Sequence, residues 1–372
     1  MSSPKLAKGA TARQSGRVTK ATHETEQSRP GLTESADTAR TLLESTTLAL
    51  SDVATLAGFP GTRAMASSLT AAFGAVPQVL RTQARAGGTS AMPGEVTVRL
   101  DFAAPMDFAH TLTYLRLRSV PAFEGVTDTT YTRTIYAAGG PVRFTLWDAR
   151  DAIECRLELR DKRDVEVVLR RIRSLLDLDA DPVAIDALLS SDPAVAALVL
   201  GHPGLRSPGA VDGFEIAVRG VIGQQISVQA ARTRLNQIVT DYGSDAMPDG
   251  PAKLFPTPAQ FAAINPETLA MPRSRARSLI ALAEMCATGG LTLGPDADRD
   301  AEHATLLALH GIGPWTADYI RMRAMSDPDI LLATDLGLLR AAQKHGIGLE
   351  QRRADISPWR SYLSNHLWAA PH

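Results

Sequence analysis

Two stretches of the chain place chemically capable residues at telling spacings. In Leu306-Leu307-Ala308-Leu309-His310-Gly311-Ile312-Gly313-Pro314-Trp315-Thr316-Ala317-Asp318-Tyr319 a Gly-x-Gly turn separates two helix-forming segments. Pro314 falls where the first turn of a helix tolerates a residue without an N–H. The glycines let the backbone approach a ligand, and the free amides of the second helix point outward with the positive end of its dipole. Such a turn can hold a phosphate with no lysine at all; the alternative is a tight turn between packed helices that binds nothing. Trp315 and Tyr319, four residues apart, share one helix face. Farther on, the uncharged run Ile330-Leu331-Leu332-Ala333-Thr334 ends at Asp335. A carboxylate closing an apolar run is a candidate for partial burial and for chemistry, or else a simple cap for the next helix.

Composition bounds what those residues could serve. With 372 residues the chain is long enough for two or three domains. Its 39 Lys+Arg nearly cancel 40 Asp+Glu, for a net charge of −1. A nucleic-acid partner would therefore have to be held by a local patch or by backbone groups. The two cysteines, Cys155 and Cys286, exclude a four-cysteine zinc site, a cysteine-held iron–sulfur cluster and a disulfide framework, and they suit a reducing cytosol. No apolar run is long enough to span a bilayer, so a cytoplasmic protein with no membrane partner is expected. Lys5, Lys8, Arg13, Arg17, Lys20 and Arg29 mark a mildly basic, disordered tail over residues 1–35.

Periodicity divides the rest. Residues 36–86 read as short helices: Ala39–Leu50, Asp52–Ala57 and one ending near Gly74, a plausible helix-turn-helix. Gly87–Glu95 reads as a linker. Strands are predicted at Val96–Phe102, Thr130–Ile135, Val142–Leu146 and Ile153–Leu159, with a helix at Asp107–Arg118, which gives an antiparallel α+β unit over residues 95–175. From residue 176 to 372 the pattern is all-α. Its longest apolar stripe runs through Phe214, Ala217, Val218, Val221, Ile222 and Ile226, predicting one helix over Phe214–Ile238. Further helices are predicted at Val165–Leu176, Pro258–Ala263, Arg273–Thr288, Ala301–Leu309, Trp315–Ala324, Leu336–His345 and Pro358–Trp368.

The segment Leu306–Asp335 resembles the helix-hairpin-helix, loop and aspartate of the base-excision DNA glycosylases, and within them the alkylpurine (3-methyladenine) DNA glycosylase II enzymes. Pro105-Met106-Asp107-Phe108, Asp181-Pro182 with its following helix, His202-Pro203-Gly204-Leu205-Arg206, Phe214–Val228, Phe255-Pro256-Thr257-Pro258 and Pro358-Trp359-Arg360-Ser361-Tyr362 are similar to that family in order. The resemblance implies an α+β fold: an antiparallel sheet domain followed by an all-α helix-hairpin-helix glycosylase domain, here behind a short helical segment. It implies a monofunctional enzyme that hydrolyses the N-glycosidic bond of alkylated purines in duplex DNA, requires no cofactor and acts as a monomer. Asp335 matches the catalytic aspartate, which would stabilise an oxocarbenium-like transition state. Trp315, Tyr319, Trp368 and Tyr114 match the aromatic lining of the pocket for a flipped base. Backbone amides of Gly311, Gly313 and Thr316 would hold a phosphate. Carbonyls of Leu307, Leu309 and Ile312 would coordinate a structural Na+ or K+, and Gln224 and Gln225 would stand where the family wedges the duplex. Lyase relatives carry a Schiff-base lysine two residues after the second hairpin glycine; Trp315 stands there, so simple hydrolysis is expected.

Residues 39–81, with Gly58-Phe59, Arg63, Phe73-Gly74, Pro77 and Leu80-Arg81, resemble the second helix-turn-helix of an AraC-type module. The first helix-turn-helix is missing and no cysteine precedes Cys155, which favours a dispensable remnant over an operator reader. Two other readings stay open: a DNA-binding or regulatory protein without catalysis, and a helix-hairpin-helix glycosylase for a different lesion.

Overall fold

The computed structural model describes residues 30–46, 48–84, 95–350 and 355–370. The expected tail and the Gly87–Glu95 linker lie outside these residues except at their last positions. At the centre is a five-stranded sheet of β1 (Glu95–Leu100), β2 (Glu124–Val126), β3 (Thr130–Ala137), β4 (Gly140–Asp148) and β5 (Ile153–Leu159), in the order β1-β5-β4-β3-β2. Every neighbouring pair is antiparallel. The four strands predicted from alternation are present. β2 adds a fifth that is too short, as Glu124-Gly125-Val126, to show alternation of its own.

Four helices precede the sheet: α1 (Pro30–Ser45), α2 (Leu50–Leu56), α3 (Thr62–Phe73) and α4 (Pro77–Ala84). α1 begins at Pro30, inside the expected tail. Its Ala36, Ala39, Leu42 and Leu43 recur at helical spacing and are all buried, which gives the segment a reason to be ordered. These helices do not stand apart from the sheet. Leu42, Leu43, Val53, Met65 and Leu69 join Val96 and Val98 of β1 in one apolar core. Thr46 pairs with Val98 as an isolated bridge, partly covering the edge of β1 that no strand occupies. α5 (Phe108–Arg118), capped by the Asp107 carboxylate, and α6 (Val165–Leu176) complete that core.

The all-α half holds α7 (Pro182–Ser190), α8 (Pro193–Gly201), α9 (Gly213–Ile222), α10 (Val228–Tyr242), α11 (Pro258–Ala262), α12 (Arg273–Ala287), α13 (Arg299–Ala308), α14 (Pro314–Ala324), α15 (Leu336–Lys344) and α16 (Arg360–Ala369). The single helix predicted over Phe214–Ile238 is two. Gln225 takes φ +59°, which an α-helix cannot continue through, and Ser227 accepts from the Ala230 N–H to start α10. The apolar stripe keeps its phase across this break, so periodicity alone reads through it. Two apolar cores make up this half. One gathers α9 to α13 and one side of α14 through Ala317 and Ile320. The other gathers α7, α8, α15 and α16 with Trp315, Tyr319 and Met322 from the opposite side of α14. α14 is thus the shared wall of two cores, and its first turn lies at their seam. Among the described residues no helix is long and apolar enough to cross a membrane.

Because α1 to α4 cover apolar sheet residues, deleting residues 1–84 should lower Tm by roughly 5–10 °C, the scale set by exposing several Leu- and Val-sized side chains. Differential scanning calorimetry checks this; an unchanged Tm would mean that the helices are not needed to cover the sheet.

Candidate active site

Asp335 is fixed from three directions. Its own helix supplies the Leu338 N–H, which donates to Oδ1 at 2.9 Å, so the capping reading of this residue holds. The indole N–H groups of Trp315 and Trp368 donate to Oδ2 and Oδ1, each at 3.2 Å. Trp315 comes from the first turn of α14 and Trp368 from the end of α16, so the carboxylate is gripped by three helices at once. The loop that delivers it is stitched to α16 by serines. Ser361 donates to the Asp327 carbonyl and accepts from the Ile330 N–H, while Ser364 donates to the Ile330 carbonyl and accepts from the Leu332 N–H. Arg360 holds Asp329 through a two-point ion pair. Such bidentate pairs fix geometry as well as add energy.

Asp335 looks into a cavity of about 370 Å³ whose walls include Tyr114, Trp315, Tyr319, Arg323 and Trp368. The structure therefore brings all four predicted aromatics and the aspartate into one site. Trp315 and Tyr319 stack with ring centroids 5.4 Å apart and planes at 10°, as the four-residue spacing requires. Arg323, one further turn along the same face of α14, was not singled out by sequence reasoning, although its spacing of four from Tyr319 and eight from Trp315 carried the signal. It is fully buried, and its guanidinium lies 5.0 Å from the Tyr114 ring, 5.3 Å from Trp368 and 6.0 Å from Tyr319. Donation to the Pro208 carbonyl at 2.7 Å and the Asn365 side chain at 2.9 Å anchors it. One cation thus orients rings from α5, α14 and α16, with each contact worth about 0.5–2 kcal/mol. Burial pushes the Tyr319 phenol up to about 12, helped by Tyr114. Burial acts on Tyr114 in the same sense, but Arg323 and Arg118 overcome it and hold that phenol below its usual value.

The far wall is a buried ion network that sequence reasoning also missed, because its two groups, Glu124 to Arg133 and Glu215 to Arg219, are distant in the chain. Arg133 of β3 pairs with Glu215 of α9 and contacts Glu124 of β2 at 3.5 Å. Arg219 holds Glu124 at 2.6 Å and Glu215 at 2.7 Å, and the Tyr131 hydroxyl donates to Glu124 at 2.6 Å. Two cations and two anions cancel, so the network joins the sheet to the helical half without leaving a bare buried charge.

The turn after α13 is a hairpin. Gly311 has φ +86°, and a Cβ there would approach Ser278 Oγ to 2.2 Å, so only glycine fits. Ile312 buries itself as the anchor, leaving Gly311 and Gly313 exposed. The Thr316 amide lies in the first turn of α14, but its hydroxyl is buried and accepts from Gln224. That bond corrects one expectation. Gln224 does not point outward as a wedge: its side-chain amide donates to the Gly311 carbonyl at 3.0 Å and to Thr316 Oγ1 at 2.9 Å. Gln225, exposed at φ +59°, is the residue that the α9–α10 break presents to solvent.

The chain is similar to known proteins along most of its length. The family described as AlkA N-terminal domain matches residues 97–212, and the HhH-GPD superfamily base excision DNA repair protein family matches residues 218–357. DNA-3-methyladenine glycosylase 2 of Escherichia coli (strain K12) is 32% identical over 278 residues, covering 72% of this chain and 95% of that protein. The chain belongs to the DNA-3-methyladenine glycosylase family. A second member, named "Probable bifunctional transcriptional activator/DNA repair enzyme AlkA" in Mycobacterium tuberculosis (strain H37Rv), is 40% identical over 340 residues, covering 89% of this chain and 68% of that protein. The fold of this glycosylase is also that of a solved 3-methyladenine DNA-glycosylase from Archaeoglobus fulgidus, with a TM-score of 0.64 at 20% identity over 73% of this chain and 97% of the other.

In this glycosylase Gln224 braces the hairpin against the α9–α10 turn. Gln224→Ala should make the amides of Gly311 to Thr316 exchange with solvent roughly tenfold faster, the effect of losing about one to two net hydrogen bonds, with α16 unaffected. Hydrogen exchange read by mass spectrometry checks this; equal hairpin protection in both proteins would remove the brace.

Proposed function

We propose that the protein is a monofunctional DNA glycosylase that hydrolyses the N-glycosidic bond of alkylated purines, of the 3-methyladenine and 7-methylguanine type, in duplex DNA as a step of base excision repair. The observation that carries this reading is the Asp335 carboxylate, held by two indole N–H groups at the wall of an aromatic cavity beside a helix-hairpin-helix. The target base leaves the stack and enters between the aromatic walls. A ring-alkylated purine is cationic and is drawn to electron-rich faces. As the bond to the base stretches, positive charge grows on the sugar, and Asp335, pre-oriented with no rearrangement to make, stabilises it electrostatically. The base departs as a neutral leaving group, and water adds to the cationic sugar and gives up a proton to solvent, leaving an abasic site. Trp315 occupies the place of the lyase lysine, so no Schiff base forms and the strand is not cut.

DNA is held by backbone groups. Amides of Gly311, Gly313 and Thr316 grip one phosphate at the start of α14, and Gln225 fills the space that the flipped nucleotide leaves. Carbonyls of Leu307, Leu309 and Ile312 would hold a Na+ or K+ ion: the Leu307 carbonyl accepts no hydrogen bond among the described residues, and the Leu309 carbonyl accepts one, from the Ile312 N–H at 3.1 Å; a bound cation would add positive charge beside that phosphate. The enzyme requires no other cofactor. It works as a monomer in the cytoplasm, where the nucleoid is, and α1 to α4 serve as a cover for the sheet and not as an operator reader.

Asp335→Asn keeps the helix cap and the size of the side chain but removes its charge. It should slow release of free base from methylated DNA at least about a hundredfold, while deaminated or oxidised DNA should be a poor substrate for either protein. Base release followed by chromatography decides the matter. Equal rates for wild type and variant would overturn the role of Asp335; faster release from deaminated DNA would overturn the substrate class.

A further inference from the structure

Three of the chain's eight histidines gather away from the cavity, at the joint between the sheet layer and the helical half. Asp107 caps α5, and His110 follows it on the same side of the first turn. His202 sits in the connection between α8 and α9. One donor atom from each of Asp107, His110 and His202 lies within 4.8 Å of the others. His366 of α16 is buried within electrostatic reach of both other rings. We propose that Asp107, His110 and His202 bind one divalent transition-metal ion of the zinc class, which staples α5 to the α8–α9 connection.

The backbone already brings the ligands together. The Asp107 N–H donates to the Gly204 carbonyl at 3.3 Å, and the Gly204 N–H donates to Asp186 at 2.8 Å. Gly204 lies at φ +70°, and a Cβ there would come within 2.3 Å of the Pro105 carbonyl oxygen, so the two segments can meet this closely only at a glycine. Asp107 Oδ1 is committed to the His110 N–H, the helix cap, leaving Oδ2 for His202 Nδ1 at 2.9 Å. The His110 ring packs edge-on against His202 with centroids 4.8 Å apart and makes no hydrogen bond among the described residues. A capping carboxylate and its partner need only one histidine. The second imidazole adds a lone-pair donor that capping does not use.

Two imidazole nitrogens and one carboxylate oxygen match the donor set of a zinc site that keeps a fourth position for water. Bonds of about 2.1 Å in a tetrahedron place donor atoms roughly 3.4 Å apart. The cluster brackets that spacing, so modest side-chain rotation closes it. On binding, the Nδ1 lone pair of His202 would take the metal in place of its hydrogen bond with Asp107 Oδ2. All three ligands are partly exposed, so ion and water can both reach the site. His110 lies one turn before Tyr114 on α5, so the staple would fix the helix that carries a wall of the cavity.

The untagged full chain, stripped with chelator and desalted, should bind one equivalent of Co2+ with a visible ligand-field absorption that Zn2+ displaces, and Zn2+ should raise its Tm. His110→Ala and His202→Ala should each weaken binding at least about tenfold, the least expected when a group in or next to a metal shell is lost. Asp107→Asn, which keeps the cap, should weaken binding likewise while leaving the metal-free Tm unchanged. Absence of saturable binding by the wild type would overturn the proposal, as would binding that survives both histidine substitutions.

Discussion

A carboxylate has to stay oriented beside an apolar wall, and the rest of the structure answers to that demand. Asp335 meets it by accepting three N–H donors, two indoles and one helix amide. Each donor comes from a different helix, so α14, α15 and α16 must be fixed relative to one another. The core that α7, α8, α15 and α16 build with one side of α14 does this. The serine contacts along α16 then hold the approach to Asp335 in place. Neither tryptophan is only a lining group: each combines a stacking face with a directional donor, a pairing that phenylalanine could not supply.

A second theme is how charge is handled in a chain that has almost none in sum. Arg323 is buried against three rings, and the Arg133, Glu215, Arg219 and Glu124 network cancels itself. Both arrangements use buried cations to position other groups while adding little to the surface field. In the proposed function, a nearly neutral protein meets an anionic polymer through a hairpin of backbone amides. The same economy explains why Gln224 turns inward. The hairpin is seated by buried Ile312, and a side-chain brace from the α9–α10 turn adds a further tie.

Much of this could be read from the residues alone. The strands β1, β3, β4 and β5 alternate cleanly, the helix over Val165–Leu176 matches its stripe, and the hairpin announces itself through Gly311 and Gly313. Asp335 and its aromatic neighbours are also legible, through spacing for Trp315 and Tyr319 and through resemblance for Trp368 and Tyr114. The features that escaped did so for different physical reasons. The break at Gln225 keeps the apolar phase intact, so periodicity passes over it. α8 begins at Asp192-Pro193, a cap followed by a proline at the first helical position, a local signal easily lost among turns, whereas the helix after Asp181-Pro182 is legible through the resemblance. The burial of α1 on the sheet, the Arg323 contacts with Tyr114 and Trp368 and the link from Arg133 to Glu215 are tertiary: each joins residues tens of positions apart, and no local pattern encodes such a pairing.

If Asp335 stabilises positive charge on the sugar, binding of a stable cationic mimic tests that role most directly. Duplex DNA carrying a pyrrolidine abasic analogue, positively charged where the oxocarbenium would be, can be compared with the same duplex carrying a neutral tetrahydrofuran. The wild type should bind the cationic site at least about a hundredfold more tightly, as transition-state mimics generally bind, and Asp335→Asn should bind the two alike. An equal affinity of the wild type for both sites would contradict a charge-stabilising Asp335.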